Sequence, residues 1–141
     1  MARAGESSRK IDLLIIDDQS VMRALIRDFL QSGMPDLLIA EAPDGARGLK
    51  LFTERYPRVV LLDISLPDAN GIDLAGQIQA SRPGTQVIMV TNMSGSAYVE
   101  RAHAAGASAY VRKDKIYTDL MQVVTRALSG VPPHNASGGG K

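Results

Sequence analysis

Short unbroken apolar runs alternate along this chain with segments in which apolar residues recur at helical spacing. The run "IDLLII", Ile11 to Ile16, ends abruptly in two acids and reads as a strand buried on both faces. After it comes "VMRALIRDFLQS", where Val21, Met22, Leu25, Ile26, Phe29 and Leu30 share one helix face. Ser20 is placed to cap that helix, and Gly33 with Pro35 stops it. "LLIAEA" is a second strand, and "PDG" turns the chain into the helix "ARGLKLFTERY", closed by Pro57. "VVLLD" is a third strand ending at Asp63; the turn-rich "ISLPDANG" leads on to the helix "IDLAGQIQASR". "QVIMVT" is a fourth strand, followed by "NMSGS" and the short helix "AYVERAHAA", which Gly106 stops. "SAYVRK" and "YTDLMQVVTRALS" form the last strand and helix.

Strands and helices in strict alternation predict right-handed crossovers and a parallel sheet covered on both faces. The expected fold is α/β: a flavodoxin-like (βα)5 doubly wound parallel sheet of strand order 2-1-3-4-5. Residues 1–10 are expected to be a disordered extension, 11–129 the folded domain, and 130–141, rich in Pro and Gly, a disordered tail.

Composition narrows the function classes. A net charge of +1 and the lack of a long basic run argue against nucleic acid as the main partner. With no cysteine there is neither a disulfide framework nor a thiolate metal site. The apolar run after "MARAGESSRK" is too short for a signal h-region or a membrane span, so a soluble, cytoplasmic protein is expected.

Ligands of open parallel sheets bind beyond the carboxyl ends of the strands, at the switch point between strands 1 and 3. Strand 1 ends in Asp17 and Asp18, strand 3 in Asp63, strand 4 in Thr91 and strand 5 in Lys113. At about 4 Å and an effective dielectric of about 20, two carboxylates repel by roughly 4 kcal/mol. A bound cation is the usual gain that keeps such a pair together. Taken singly, each residue has an ordinary explanation as a helix cap, a turn hydroxyl or a solvated amine. Together, three acids, a hydroxyl and an amine from four strands describe a metal-assisted phosphate site. Carboxylates without His or Cys suit Mg²⁺; Lys113 supplies a charge for a phosphoryl group, and Thr91 one hydrogen bond. One carboxylate can act as nucleophile, and Asp63 on the central strand is best placed for it.

These residues resemble the response-regulator receiver domain of bacterial two-component signalling, over about Ile11 to Ser129. The resemblance rests on "IIDDQSVMR" (an acidic pair, then a helix with an early arginine), "LLDISLPDANG", "MVTNMS" and "GASAYVRKD". It implies phosphorylation of Asp63 by a sensor histidine kinase, a phosphotransfer protein or a small acyl phosphate. It also implies Mg²⁺ held by Asp18, Asp63 and the Ser65 backbone carbonyl, with Asp17 reached through water, and Lys113 on the phosphoryl group. Thr91 and Tyr110 would be switch residues that alter a helix 4/strand 5/helix 5 face read by a downstream target protein. That face is expected to include Tyr98, Tyr110, Arg112 and Tyr117, and the chain to be a monomer or a phosphorylation-dependent dimer. Such a chain is a switch rather than an enzyme, apart from its own phosphotransfer and self-dephosphorylation. Asn92 follows the switch threonine where a small residue is usual; with Met93 and Ser65 it is expected to alter the rate of phosphate loss. Asp114 follows Lys113 where many receivers carry proline, which excludes a cis-proline there.

Competing readings are a binding module of the same fold that has lost phosphorylation, and a receiver fragment of a larger DNA-binding regulator. A haloacid-dehalogenase-like phosphohydrolase needs its second Asp two residues after the first, and Asp17-Asp18-Gln19 lacks that spacing. A flavodoxin would have to seat a phosphate against two negative charges. His103 and His134 are read as solvated rather than as phosphorelay histidines.

Overall fold

The computed structural model describes residues 9–130; the predicted disorder of 1–8 and of 131–141 lies outside the described residues. Five parallel strands run in the order β2-β1-β3-β4-β5, as the alternation requires. The strands are β1 (Leu13–Ile16), β2 (Ile39–Ala42), β3 (Val59–Leu62), β4 (Gln86–Thr91) and β5 (Ala109–Arg112). The helices are α1 (Ser20–Gly33), α2 (Gly45–Arg55), α3 (Gly71–Ser81), α4 (Ser96–Ala104) and α5 (Met121–Ser129). Strand β1 pairs with β2 on one side and β3 on the other, with Ile16 opposite Ala42 and Leu62. The last residues of β1 and β3 are thus neighbours, and Asp17 and Asp63 leave the sheet side by side.

Side-chain alternation sends the two halves of each strand into separate cores. Leu14, Ile16, Val60, Leu62, Val87 and Met89 pack with Phe52 of α2, with Leu74 and Ile78 of α3 and with Ala102 of α4. Leu13, Ile15, Val59, Leu61, Ile88 and Val90 pack with Ile26 and Leu30 of α1 and with Val124 and Ala127 of α5. Burying one such side chain contributes about 1.5–3 kcal/mol, so these strands hold their register firmly. The charged residues at their ends are placed by that register.

Two local expectations change. Ser20 does not cap α1: Gln19 takes the cap position, without a side-chain cap hydrogen bond, and Ser20 is the first helical residue. The Gln19 amide is satisfied from the other direction, donating to Asp17 Oδ1 at 2.8 Å. The last helix also begins differently from its 3.6-residue pattern. A 3₁₀ turn (Lys113–Lys115) and a π-helical turn (Ile116–Leu120) precede α5.

The loop after β3 depends on Gly71. Its amide donates to the Ile64 carbonyl at 2.7 Å, and Ser65 pairs with Asn70 across a tight antiparallel bridge. A Cβ on residue 71 would stand 2.0 Å from the Asp63 carbonyl oxygen, which leaves no room for any side chain. Gly71→Ala is expected to lose about 3 kcal/mol or more of stability in urea denaturation. An unchanged midpoint would show that the loop relaxes freely around the added methyl group.

Candidate functional site

The carboxyl ends of β1, β3 and β5 deliver Asp17, Asp63 and Lys113 to one buried cluster. Lys113 Nζ lies 2.7 Å from Asp17 Oδ2 and 2.8 Å from Asp63 Oδ2. Gln19 Oε1 accepts its third hydrogen bond, at 3.3 Å. An ammonium has three donors, and here all three have partners. A solvated lysine, the ordinary reading of Lys113, is ruled out: only 8% of it is exposed. Asp17 and Asp63 are equally buried, whereas Asp18 stands at the surface beside them.

Burial sets the electrostatics. Desolvation holds the Asp17 carboxyl above its usual range; the Lys113 and Gln19 contacts pull it back only in part, and the neighbouring Asp63 charge adds to the rise. For Lys113, burial pushes the ammonium pKa down, but the hydrogen bonds and charges of Asp17 and Asp63 outweigh it, and the net direction is up. Lys113 therefore stabilises the fold fully at neutral pH, and that contribution fades only as the pH rises through its elevated value.

Asp17, Asp18 and Asp63 can each offer one carboxylate oxygen within 4.8 Å of the others. The donors are hard oxygens throughout, and three negative charges against one ammonium leave a deficit of two. That donor chemistry and charge fit a divalent cation such as Mg²⁺. Ser65 N–H points at Asp63 Oδ1, at a long 3.4 Å.

Thr91 is buried at the end of β4, where its hydroxyl accepts from Met93 N–H at 3.3 Å and has no hydrogen bond to the carboxylates. Tyr110 meets the same residue from β5, its hydroxyl donating to the Met93 carbonyl at 2.8 Å. One residue of the β4–α4 loop is thus gripped by both Thr91 and Tyr110. Burial, then the proximity of Tyr98 and Asp63, raises the Tyr110 pKa, so this hydroxyl keeps its proton.

Residues 13–125 match the sequence profile of the response regulator receiver domain. The chain belongs to that family. Among relatives, the receiver is 33% identical to the chemotaxis protein CheY of Listeria monocytogenes over 103 residues, 73% of this chain and 86% of that protein. It is 32% identical over 126 residues to the transcriptional regulatory protein LnrK of Bacillus subtilis, spanning 87% of this chain but only 57% of LnrK. Among solved structures, a CheY-like receiver domain protein of Methanospirillum hungatei superposes with a TM-score of 0.78 at 26% identity, covering 86% of this chain and 95% of that one. A BeF3-activated DrrB receiver domain gives 0.76 at 28% identity, covering 85% and 98%.

The receiver's helix 4/strand 5/helix 5 face, here α4, β5 and α5, contains a groove of about 550 Å³. Tyr110 and Arg112 line it as expected, and exposed His103 lies on its wall. Tyr98 of α4 does not line the groove; like Tyr110 it is half-buried and packs against the core. Tyr117 does not line the groove; it is exposed, and its ring meets Phe29 of α1 edge-on, with centroids 5.0 Å apart at 85°. Asn92 and Ser65 are exposed and Met93 half-buried. Sequence reasoning missed Gln19 as the third partner of Lys113, because nothing in its neighbours signals a contact 94 residues away. It also left out Glu41, which accepts from Arg23 Nε at 3.1 Å while Arg23 Nη1 reaches the Asp17 carbonyl.

Lys113→Ala leaves two buried carboxylates facing each other. Without added metal, the Asp17 titration followed by NMR is expected to move further up. Stability at neutral pH is expected to fall by about 3 kcal/mol and to recover as the pH drops and the carboxyls protonate. An Asp17 midpoint that stays put or moves down would contradict this electrostatic account.

Proposed function

We propose that this receiver is a phosphorylation-activated switch in which Asp63 accepts a phosphoryl group from the phosphohistidine of a sensor kinase or phosphotransfer protein. The observation that carries the proposal is the buried Lys113 ammonium between Asp17 and Asp63, with Asp18 alongside. An Asp63 carboxylate oxygen attacks phosphorus, a P–O bond forms as the P–N bond breaks, and the imidazole nitrogen leaves with the electron pair and takes up a proton. Asp18, Asp63 and the Ser65 backbone carbonyl would hold Mg²⁺, backed by Asp17. Bound there, the cation would offset charge on the phosphoryl oxygens.

Lys113 neutralises the rest. Its contact with Asp63 Oδ2 at 2.8 Å places an ammonium beside the reacting carboxylate, ready to pass to the phosphoryl group. Thr91 donates its hydroxyl hydrogen to a phosphoryl oxygen and turns away from Met93. Tyr110 shares that Met93 contact, so its ring and the groove beside it respond. A downstream protein then reads the α4–β5–α5 face. The receiver works in the cytoplasm, in keeping with the lack of any helix among the described residues long and apolar enough to cross a membrane. It is a switch rather than an enzyme acting on external substrates.

Intact-mass measurement after incubation with Mg²⁺ and acetyl phosphate is expected to show one labile phosphoryl group on the wild type. Asp63→Asn and a chelated sample are expected to show none. An adduct that survives in Asp63→Asn would move the acceptor elsewhere. No adduct from either acetyl phosphate or a phosphorylated kinase would overturn the proposal.

A further inference from the structure

Helix α2 begins with two carboxylates on its first three amides, and only one of them belongs to it. Asp44, the N-cap residue, accepts from Arg47 N–H at 2.8 Å. The other is Asp68, from the loop after β3: its Oδ1 accepts from Gly45 N–H at 2.7 Å and its Oδ2 from Ala46 N–H at 2.9 Å. These are charge-assisted bonds aimed at the positive end of a helix, among the stronger contacts a surface carboxylate can make. The contact is close-fitting as well. A Cβ on Gly45 would sit 3.1 Å from Ala69 Cβ and 3.2 Å from Asp68 Oδ1.

The loop that Asp68 ties down is the one that carries Ser65. Its two strands are joined by the Ser65–Asn70 bridge and by Leu66 N–H to the Ala69 carbonyl at 3.3 Å. Asn70 in turn caps α3 through the amides of Ile72 and Asp73. The base of the loop is fixed by Gly71 against Asp63 and Ile64, and its tip by Asp68 against α2. Because the turn is short and cross-bridged, a displacement of Asp68 reaches Ser65 directly.

We infer that Asp68 is a positioning residue: by latching the tip of the loop to the N-terminus of α2, it holds the Ser65 backbone where the cation site needs it. This rests on the Mg²⁺ site proposed above. Asp68 is ionised over the working range, since the Gly45 and Ala46 amides hold its carboxyl below the usual carboxylate value. The latch is therefore closed at neutral pH.

Asp44 supplies the control, because its carboxylate bonds only within its own helix, to Arg47. Mg²⁺ titrations of the full chain, followed by backbone amide NMR, compare wild type, Asp68→Ala, Asp68→Asn and Asp44→Ala, each with its thermal midpoint. Asp68→Ala is expected to raise the Mg²⁺ Kd about tenfold, the effect typical of losing a group that orients a metal ligand. Asp68→Asn, which keeps one acceptor, is expected to fall between. Asp44→Ala is expected to lower the midpoint comparably and leave the Kd within about twofold. Equal losses of affinity in Asp68→Ala and Asp44→Ala would reduce Asp68 to a helix cap and overturn the inference. So would an unchanged Kd in both Asp68 variants. Failure of the wild type to bind Mg²⁺ would remove the metal site itself, and the inference with it.

Discussion

A lysine ammonium buried between two aspartates organises the functional end of this molecule. Lys113 could not stay buried without Asp17 and Asp63, and those carboxylates could not stay buried together without Lys113. The three residues come from β1, β3 and β5, so the contact exists only when the sheet is assembled in register. Breaking such a pair costs far more than swapping it for apolar groups, which makes it poor evidence for stability as a purpose. Its sense lies in chemistry. The cluster keeps a net deficit of positive charge, and the proposed divalent cation would offset it.

The parts around the cluster extend its reach. Met93 is held by Thr91 through its N–H and by Tyr110 through its carbonyl, so both residues restrain the β4–α4 loop. On the other side, Arg23 ties the Asp17 carbonyl to Glu41 of β2, and Arg27 grips the second oxygen of the same glutamate. Gly71 brings the backbone of the loop after β3 against Asp63. Each contact restrains backbone next to a side chain of the cluster, which is how a site on loops acquires the precision of its scaffold.

Much of this was legible in the chain because parallel strands buried on both faces must be apolar throughout, so the polar residues that close the runs mark the sheet edge where a site can form. Asp17, Asp18, Asp63, Thr91 and Lys113 were found that way, and the strand order followed from the alternation. What stayed hidden depends on contacts distant in sequence or on departures from ideal helices. Gln19 and Asp68 sit in turn segments whose composition says only that the chain bends; their partners are Lys113 and the start of α2. Ser20 was misplaced because the helix starts one residue earlier: the Gln19 carbonyl already accepts from Arg23 N–H, so Ser20 is the first helical residue. Tyr117 was placed on the partner face through the resemblance alone, which carries no signal of its contact with α1. It sits in the π-helical turn over Ile116–Leu120, where its exposed ring meets Phe29 of α1.

The central claim is that the charge-unbalanced cluster at the strand ends takes a phosphoryl group on Asp63 with a divalent cation alongside. A crystal structure of the chain soaked with Mg²⁺ and beryllofluoride, a phosphoryl mimic, tests it most directly. The account predicts beryllium bonded to an Asp63 carboxylate oxygen, a cation among Asp17, Asp18 and Asp63, and Lys113 Nζ drawn from Asp63 to a fluorine. Density for the mimic on another residue, or a cluster left with Lys113 still bridging Asp17 and Asp63, would contradict it.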